Sequence, residues 1–456
     1  MYQTLGKDEL LLLVIKHIKD NHYKEFHELI DELHPIDIAE IYVELPVKHH
    51  AKFLSFLSLR QMATLIQELD ANWQLDTLQK IGIERSSKVM NYMENDDVAD
   101  MLSNMTVDEI EELLASMREE ESKHVQTLMQ YPPDTAGGRM TNRFVWIRNY
   151  YTVTEAIDKL RTFADFAETI YYLYVLNEHK KLVGVVSYRD LILASPNEKI
   201  DNIMYNRVIS VPVDMDQEEV ASIIQKYDFI AIPVVNDQNI LLGIVTIDDI
   251  MDIVIEEANE DIGRFAATGG KTIDFNTPIF TAAARRLPWL ILLLFIGLGT
   301  GLIMSRFEET LDTVVILAFF LPLIAGMTGN TGTQSLAVVI RGLVINQEMN
   351  RSIVYKLIAR EFGVSLLIGI VCSSLVGVIS YLWHDIFALS LVIAFSLMLS
   401  LIVGTLAGTI IPLILFKLKV DPAVASGPFI TTINDIISLL IYFKTAEYFL
   451  LPYFTS

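Results

Sequence analysis

Apolar residues recur at three- and four-residue spacing in HPIDIAEIYVEL, LRQMATLIQEL, DDVADMLSNM and VDEIEELLASM. Residues 1 to about 130 therefore read as short amphipathic helices with no strand signal. Asp37, Asp96 and Asp108 sit where helix N-caps would fall. Repetition of such helices predicts an α-solenoid-like superhelix, without a period regular enough to assign. The paired prolines and glycines of YPPDTAGGRMT, residues 131–141, break the pattern and mark a linker or domain entry. Beyond them LYVLNEHKKLVGVVSYRDLI and IPVVNDQNILLGIVTIDDIM align at a constant offset of 59, pairing Asn177 with Asn236, Gly184 with Gly243 and Asp190 with Asp249. Each copy reads as strand, Asn-containing turn, strand and a helix started by Ser187 or Thr246. From Thr246, TIDDIMDIVIEEANEDIGRF continues as a helix. Five apolar windows follow at 287–305, about 313–340, about 362–383, about 386–416 and 425–453, each of the length a bilayer requires.

With 456 residues, 52% of them hydrophobic, the chain exceeds one ordinary domain and falls among membrane proteins rather than soluble enzymes. Residues 276–456 hold 10 Lys and Arg against 9 Asp and Glu, so the formal net charge of −22 resides in residues 1–275, which carry 25 basic and 48 acidic side chains. That excess repels nucleic-acid phosphates and leaves small cations as charged partners. Arg285 and Arg286 precede the first window, Arg341, Arg351, Lys356 and Arg360 lie between the second and third, and Lys417 and Lys419 between the fourth and fifth. This bias predicts cytoplasmic N-terminal domains and an external C-terminus. The early run LLLLVI at 10–15 follows Asp8 and Glu9 and does not read as a secretory signal. A single cysteine, Cys372, supports neither a disulfide framework nor a thiolate zinc site. GGKT at 269–272 is not a phosphate loop, because the motif's leading glycine would fall on Phe265 and no strand precedes it. HExxH and GxSxG patterns are missing, so nothing in the sequence points to an enzyme.

PAVASGPFITTINDIISLLIYF, residues 422–443, can span a bilayer yet carries one ionisable residue, Asp435. A charge at that depth costs about 2.5 to 3.5 kcal/mol even on lenient scales, so such residues face a protein interior or a watery path. Either Asp435 serves ion passage, or Asn434, Thr431 and Thr432 hydrogen-bond it within a helix bundle. In LIAGMTGNTGTQS, residues 323–335, Asn330, Thr331, Thr333 and Gln334 offer neutral oxygens to a partly hydrated cation, while the glycines equally suit tight packing. Upstream, Asp248, Asp252, Glu256 and Glu260 fall on one helix face, flanked by Asp249, Glu257 and Asp261. Like charges at that spacing cost roughly 0.2–0.5 kcal/mol per pair. Residues 201–261 contain 14 acids against Arg207 and Lys226, so hard divalent cations rather than Lys or Arg are the expected compensators.

The paired β-β-α unit resembles a tandem of cystathionine-β-synthase (CBS) domains over roughly residues 141–250. Its Gly-x-x-Ser/Thr-x-x-Asp is similar to the motif that often contacts adenosine ribose. The resemblance implies a regulatory, ligand-sensing module, with Ser187, Arg189, Asp190 and Phe229 as candidates for ATP. YPPDTAGGRMT, the CBS tandem, the acidic helix, GNTGTQS and DPAVASGPFITTINDIISLLIYF together, in that order, resemble the MgtE family of magnesium channels and transporters. This implies a multidomain homodimer in the cell membrane: a helical superhelical N domain (1–130), α/β tandem CBS domains (131–250), a connecting plug helix (251–275) and a transmembrane domain of five helices (276–456). The family's pore between subunits is lined by the second and fifth helices; its pore Asp falls on Asp435, with Asn330 in the matching polar segment. Its magnesium-sensing carboxylates fall on Asp96 and Asp100, on Asp216, Glu218 and Asp228, and on Asp249, Asp252, Glu257, Glu260 and Asp261. Gly427 stands where some relatives carry a polar Asn, so no side-chain ligand comes from that position.

The implied activity is Mg2+ influx, with Mg2+ both cargo and regulator, closed when cytosolic Mg2+ binds these carboxylates. Two other readings stay open: a proton- or sodium-coupled divalent-cation transporter, and a membrane-anchored adenylate sensor that docks a partner.

Overall fold

The computed structural model describes residues 6–103, 105–164, 166–268, 277–345, 350–450 and 452. The chain divides into two compact units, Met1–Val254 and Ile255–Ser456.

The first unit opens with ten helices among the described residues: α1 (Lys7–Asp20), α2 (Tyr23–Glu32), α3 (Pro35–Glu44), α4 (Val47–Phe56), α5 (Leu59–Gln67), α6 (Ala71–Ile81), α7 (Ile83–Met90), α8 (Asn95–Leu102), α9 (Val107–Ser116) and α10 (Glu119–Leu128). From α3, odd helices pack on odd, α3 on α5, α5 on α7 and α7 on α9, while α2, α4, α6, α8 and α10 form a parallel row. The superhelix thus repeats every two helices, a period carried by helix pairing rather than by matching residues. Phe26, Tyr42, Phe53 and Met62 are fully enclosed between the rows. Helix starts differ from the expected caps. His34, Glu94 and Thr106 occupy the cap positions, and Asp37, Asp96 and Asp108 fall one or two residues inside the first turn. An acid there complements the positive end of the helix dipole without capping it.

Two α/β copies follow. In the first, β1 (Phe144–Arg148) pairs parallel to β2 (Thr169–Leu176), which pairs antiparallel to β3 (Leu182–Ser187), with α11 (Val153–Phe163) as crossover and α12 (Tyr188–Leu193) after it. A one-turn helix, α13 (Ile200–Ile203), leads to the second copy. There β4 (Val211–Pro212), α14 (Gln217–Tyr227), β5 (Ala231–Val235) and β6 (Leu241–Thr246) repeat the order and pairing. The hairpin turns are chemically identical. Asn177 Oδ1 accepts from the His179 and Lys181 amides and Asn236 Oδ1 from those of Gln238 and Ile240, while Lys180 and Asn239 take left-handed backbone at φ 61° and 60°. YPPDTAGGRMT is part of the second copy's hydrogen-bonding rather than a free linker: Ala136 and Gly137 donate to Met215 and Val213 carbonyls, and Thr141 exchanges both backbone bonds with Ile244.

Helix α15 (Ile247–Phe265) continues directly from β6. Residues 269–276, including GGKT and the end of the expected plug segment, lie outside the described residues. The second unit then comprises α16 (Ile279–Arg306), the short α17 (Glu308–Thr313), α18 (Leu317–Ile345), α19 (Arg351–His384), α20 (Phe387–Lys417) and α21 (Gly427–Phe449). Among the described residues α16, α19, α20 and α21 are long and apolar enough to cross a membrane. The 29-residue α18 carries GNTGTQS within it. Helix α20 is the hub, packing on α18, α19 and α21, while α16 rests chiefly on α21.

Backbone approaches backbone in this bundle. A Cβ at Gly408 would strike the Gly332 carbonyl oxygen, one at Gly404 the Thr328 side chain, and one at Gly332 the Asn434 amide. Close helix contact of this kind depends on small residues. Gly408→Val should force α18 and α20 apart at a cost of about 1–3 kcal/mol. The check is the melting temperature in detergent of Gly408→Val against Gly342→Val, where an added Cβ would meet nothing within 4 Å among the described residues.

Candidate functional site

Asp435 lies midway along α21 and is half-buried, with Oδ1 enclosed and without a hydrogen-bond partner. The neighbours that could have held it do something else. Thr431 and Thr432 hydroxyls donate to the Gly427 and Pro428 carbonyls of their own helix at 2.9 and 2.8 Å. Asn434, fully buried, donates to the carbonyls of Thr328 and Gly404 at 3.4 and 3.3 Å. Its Oδ1 is bare as well. Two acceptor oxygens without donors suit a cation better than a packed bundle. Gly329 and Gly332 of α18 abut Thr431 and Asn434, which fixes α18 beside the Asp435 helix. Asn330 and Gln334 lie on the exposed side of α18, and no hydrogen bond among the described residues joins Asn330 to Asp435.

In the first unit, oxygens of Glu94, Asp96 and Glu168 lie within 4.8 Å of one another, and so do those of Glu168, Asp248 and Asp249. Glu168, just before β2, is shared by both groups. Asp96 is 8% exposed, and its Oδ1 and Glu168 Oε2 have no partner. Burial first, then the neighbouring carboxylates, push Glu168 up to about 8 and Asp249 and Glu94 up to about 7, and hold Asp96 well above the usual carboxylate range. Arg143 offsets part of this; its guanidinium donates to Asn95 and Glu121 at 3.2 Å.

The other expected sensor carboxylates are dispersed. Asp100 is paired with Arg139 at 3.2 Å. Asp216 caps α14, accepting from the Glu218 amide at 2.9 Å, whereas Asp228 ends the same helix, about 18 Å away by helix rise. Asp252 is exposed, and Glu257 and Asp261 are half-buried on the later turns of α15. Glu260 forms an ion pair with Arg264, which also pairs with Asp421 ahead of α21. Arginine is therefore a compensator here, contrary to the expectation from residues 201–261, because Arg264 lies just beyond that window. Beside this pair Phe265 packs with Leu336, Ala425 and Ile430, close to Gly427.

A cleft of about 260 Å3 between the two α/β copies is lined by Tyr172, Tyr205, Arg207 and Phe229 among others. Of the four expected nucleotide residues Phe229 lines it. Ser187 and Asp190 bond each other at 2.5 Å across the start of α12, and Arg189 is exposed.

A family model described as MgtE, divalent cation transporter, matches residues 321–445; models of the MgtE intracellular N domain and the CBS domain match 33–134 and 136–197 with 200–256. The magnesium transporter MgtE of Bacillus subtilis (strain 168) is 55% identical over 450 residues, 99% of each chain. This chain belongs to the MgtE family. A crystal structure of the soluble part of a magnesium transporter is similar at TM-score 0.53 and 35% identity, covering 56% of this chain and all of that one. The cytosolic domain of the Mg2+ channel MgtE in complex with ATP is similar at TM-score 0.51 and 33% identity, over 53% of this chain and 99% of that one.

Within the MgtE framework, Glu94 and Glu168 are the cluster members that sequence reasoning missed. Glu94 opens the acidic run ENDD and could have been suspected; Glu168 is a lone acid before the apolar strand IYYLYVL and carries no local signal.

Because these carboxyls have native pKa values above the ordinary ~4.3, the native state binds more protons than the unfolded one until pH passes the native values. Full-length protein in chelator should therefore lose melting temperature as pH rises from about 5 to the Glu168 value of about 8. Glu168→Gln should flatten that slope, and a wild-type melting temperature indifferent to pH would contradict the cluster's electrostatics.

Proposed function

We propose that this chain carries Mg2+ across the cell membrane through a path formed at α18 and α21, with five helices spanning the bilayer and two subunits meeting about a C2 axis. The observation that carries the reading is the bare carboxylate oxygen of Asp435 at mid-helix, in a chain 55% identical to a magnesium transporter. Symmetry would bring two copies of Asp435 to one axis, attracting divalent cations and repelling anions. Mg2+ dehydrates reluctantly, so it would pass largely hydrated, held through water by Asp435 and by Asn330 and neighbouring oxygens.

The acidic cytosolic part serves as the sensor. Cytosolic Mg2+ bridging Asp96, Asp249 and, in addition, Glu94, Glu168 and Asp248 cancels their repulsion and favours a compact, closed state. Asp100, Asp216, Glu218, Asp228, Asp252, Glu257, Glu260 and Asp261 supply further sites. When Mg2+ is scarce the carboxylates repel, and α15, whose last turn rests on the chain entering α21, shifts and opens the path. ATP at the cleft holding Arg207 and Phe229 would bias the same equilibrium.

Reconstituted in liposomes, the native protein should take up Mg2+ without needing a proton or sodium gradient, and Asp435→Ala should reduce that uptake at least tenfold. Native-rate uptake by the variant would put the path elsewhere, and uptake that follows an imposed pH gradient would favour a coupled carrier. Mg2+ should also protect the cytosolic part from protease. Joint neutralisation of Asp249, Asp252, Glu257 and Glu260 should remove that protection, and its persistence would refute the sensor.

A further inference from the structure

A second acid is enclosed in the helical bundle, and neither the ion path nor the sensor uses it. Glu361, on α19, is 4% exposed and has no Lys or Arg within ion-pair distance among the described residues. Ser335 Oγ donates to Glu361 Oε2 at 3.0 Å and lies 2.7 Å from Thr409 Oγ1, a contact in which either hydroxyl can be the donor; Thr409 Oγ1 is also 2.9 Å from the Thr405 carbonyl. Ser335 and Thr409 are 2% and 0% exposed. Three helices meet in this chain of bonds. Helix α19 packs chiefly on α20 and meets α18 through aromatic side chains at the far end, Phe319 with Trp383 and Phe320 with His384, so Glu361 reaches across to α18 at the opposite end.

The place it reaches is specific. Ser335 closes the GNTGTQS segment, next to Gln334. Where α18 meets α20 and α21 the helices approach closely at glycines, with Gly332 against Gly408 and Asn434 and Gly404 against Thr328, beside apolar packing such as Leu336 on Ile430. Small residues and apolar contacts set how near the helices come, and directional bonds set their rotation. Directional bonds pin it at three points. Tyr442 holds the Leu317 carbonyl at its start, Asn434 holds the Thr328 carbonyl, and two turns later Glu361 and Thr409 hold Ser335. Asn330 and Gln334, on the exposed side of the same helix, lie between the latter two pins. A buried carboxylate without a counter-charge is a poor way to fill space, since an apolar side chain of similar volume would pack at lower cost. A two-oxygen acceptor at the end of a reaching side chain is, by contrast, what fixing a distant hydroxyl requires.

We infer that Glu361 is a positioning residue that sets the rotation of α18, through Ser335, and so aims Asn330 and Gln334. The inference rests on α18 lining the ion path, and its test can be read with or without transport. In full-length protein carrying Cys372→Ala and Asn330→Cys, the labelling rate by a membrane-impermeant thiol reagent reports where position 330 points. Glu361→Ala and Ser335→Ala should each change that rate at least threefold, whereas Glu361→Gln, which keeps an acceptor oxygen and loses the charge, should stay within twofold of the background. With native Asn330 and Cys372, the same order should appear in liposomes as a severalfold higher Mg2+ concentration for half-maximal uptake in the Ala variants and a near-normal value in the Gln variant. Equal damage by Glu361→Gln and Glu361→Ala would overturn positioning and make the charge itself the working feature. Unchanged labelling in Ser335→Ala, the variant that remains available should Glu361→Ala fail to fold, together with native-like uptake in that variant, would also overturn it. Absence of Mg2+ uptake by the unmodified protein would refute the transport reading, and the labelling would still decide the role of Glu361.

Discussion

Withdrawing a carboxylate from water costs more than packing returns, and the cost must be met by a partner or by a bound cation. Both units are built around that constraint, and they meet it in different ways. Glu260 and Asp421 share Arg264, Asp100 has Arg139, and Glu361 has the Ser335 hydroxyl. Asp435 Oδ1, Asp96 Oδ1 and Glu168 Oε2 have no hydrogen-bond partner among the described residues. On the proposed reading, these unpartnered oxygens are the ones a cation would complete.

The helical bundle shows how polar chemistry is kept inside apolar surroundings. Hydroxyls of Thr328, Thr405, Thr409, Thr431 and Thr432 turn back to carbonyls of their own helices, so the polar stretches need no outside partners to be stable. Glycines then let the backbones touch, and the side chains left over are free to face elsewhere. Helix α18 accordingly has one face bonded into the bundle and another carrying Asn330 and Gln334.

Duplication supplied the α/β tandem with two copies of one turn and one helix start, and the copies have diverged in use. Ser187 and Asp190 close a helix that ends at Leu193. Their counterparts Thr246 and Asp249 form the same 2.5 Å bond, but the helix they start runs on to Phe265 and Asp249 joins the carboxylate cluster. One motif thus starts a six-residue helix in one copy and the 19-residue α15 in the other.

Periodicity and composition were enough to determine the helical first segment, the repeat at an offset of 59, the long apolar helices, and Asp435 as an anomaly, because each is a local property of chain and solvent. The two-helix period of the superhelix was not legible, since it is carried by which helices pack and not by which residues recur. Glu168 meets Asp96, Asp248 and Asp249, and Ser335 meets both Glu361 and Thr409, across long stretches of chain. Arg264 answers an acid that a window ending three residues earlier left unpaired. Tertiary structure alone decided these, because the energy of a buried charge depends on what surrounds it in space, and spacing along the sequence does not encode that.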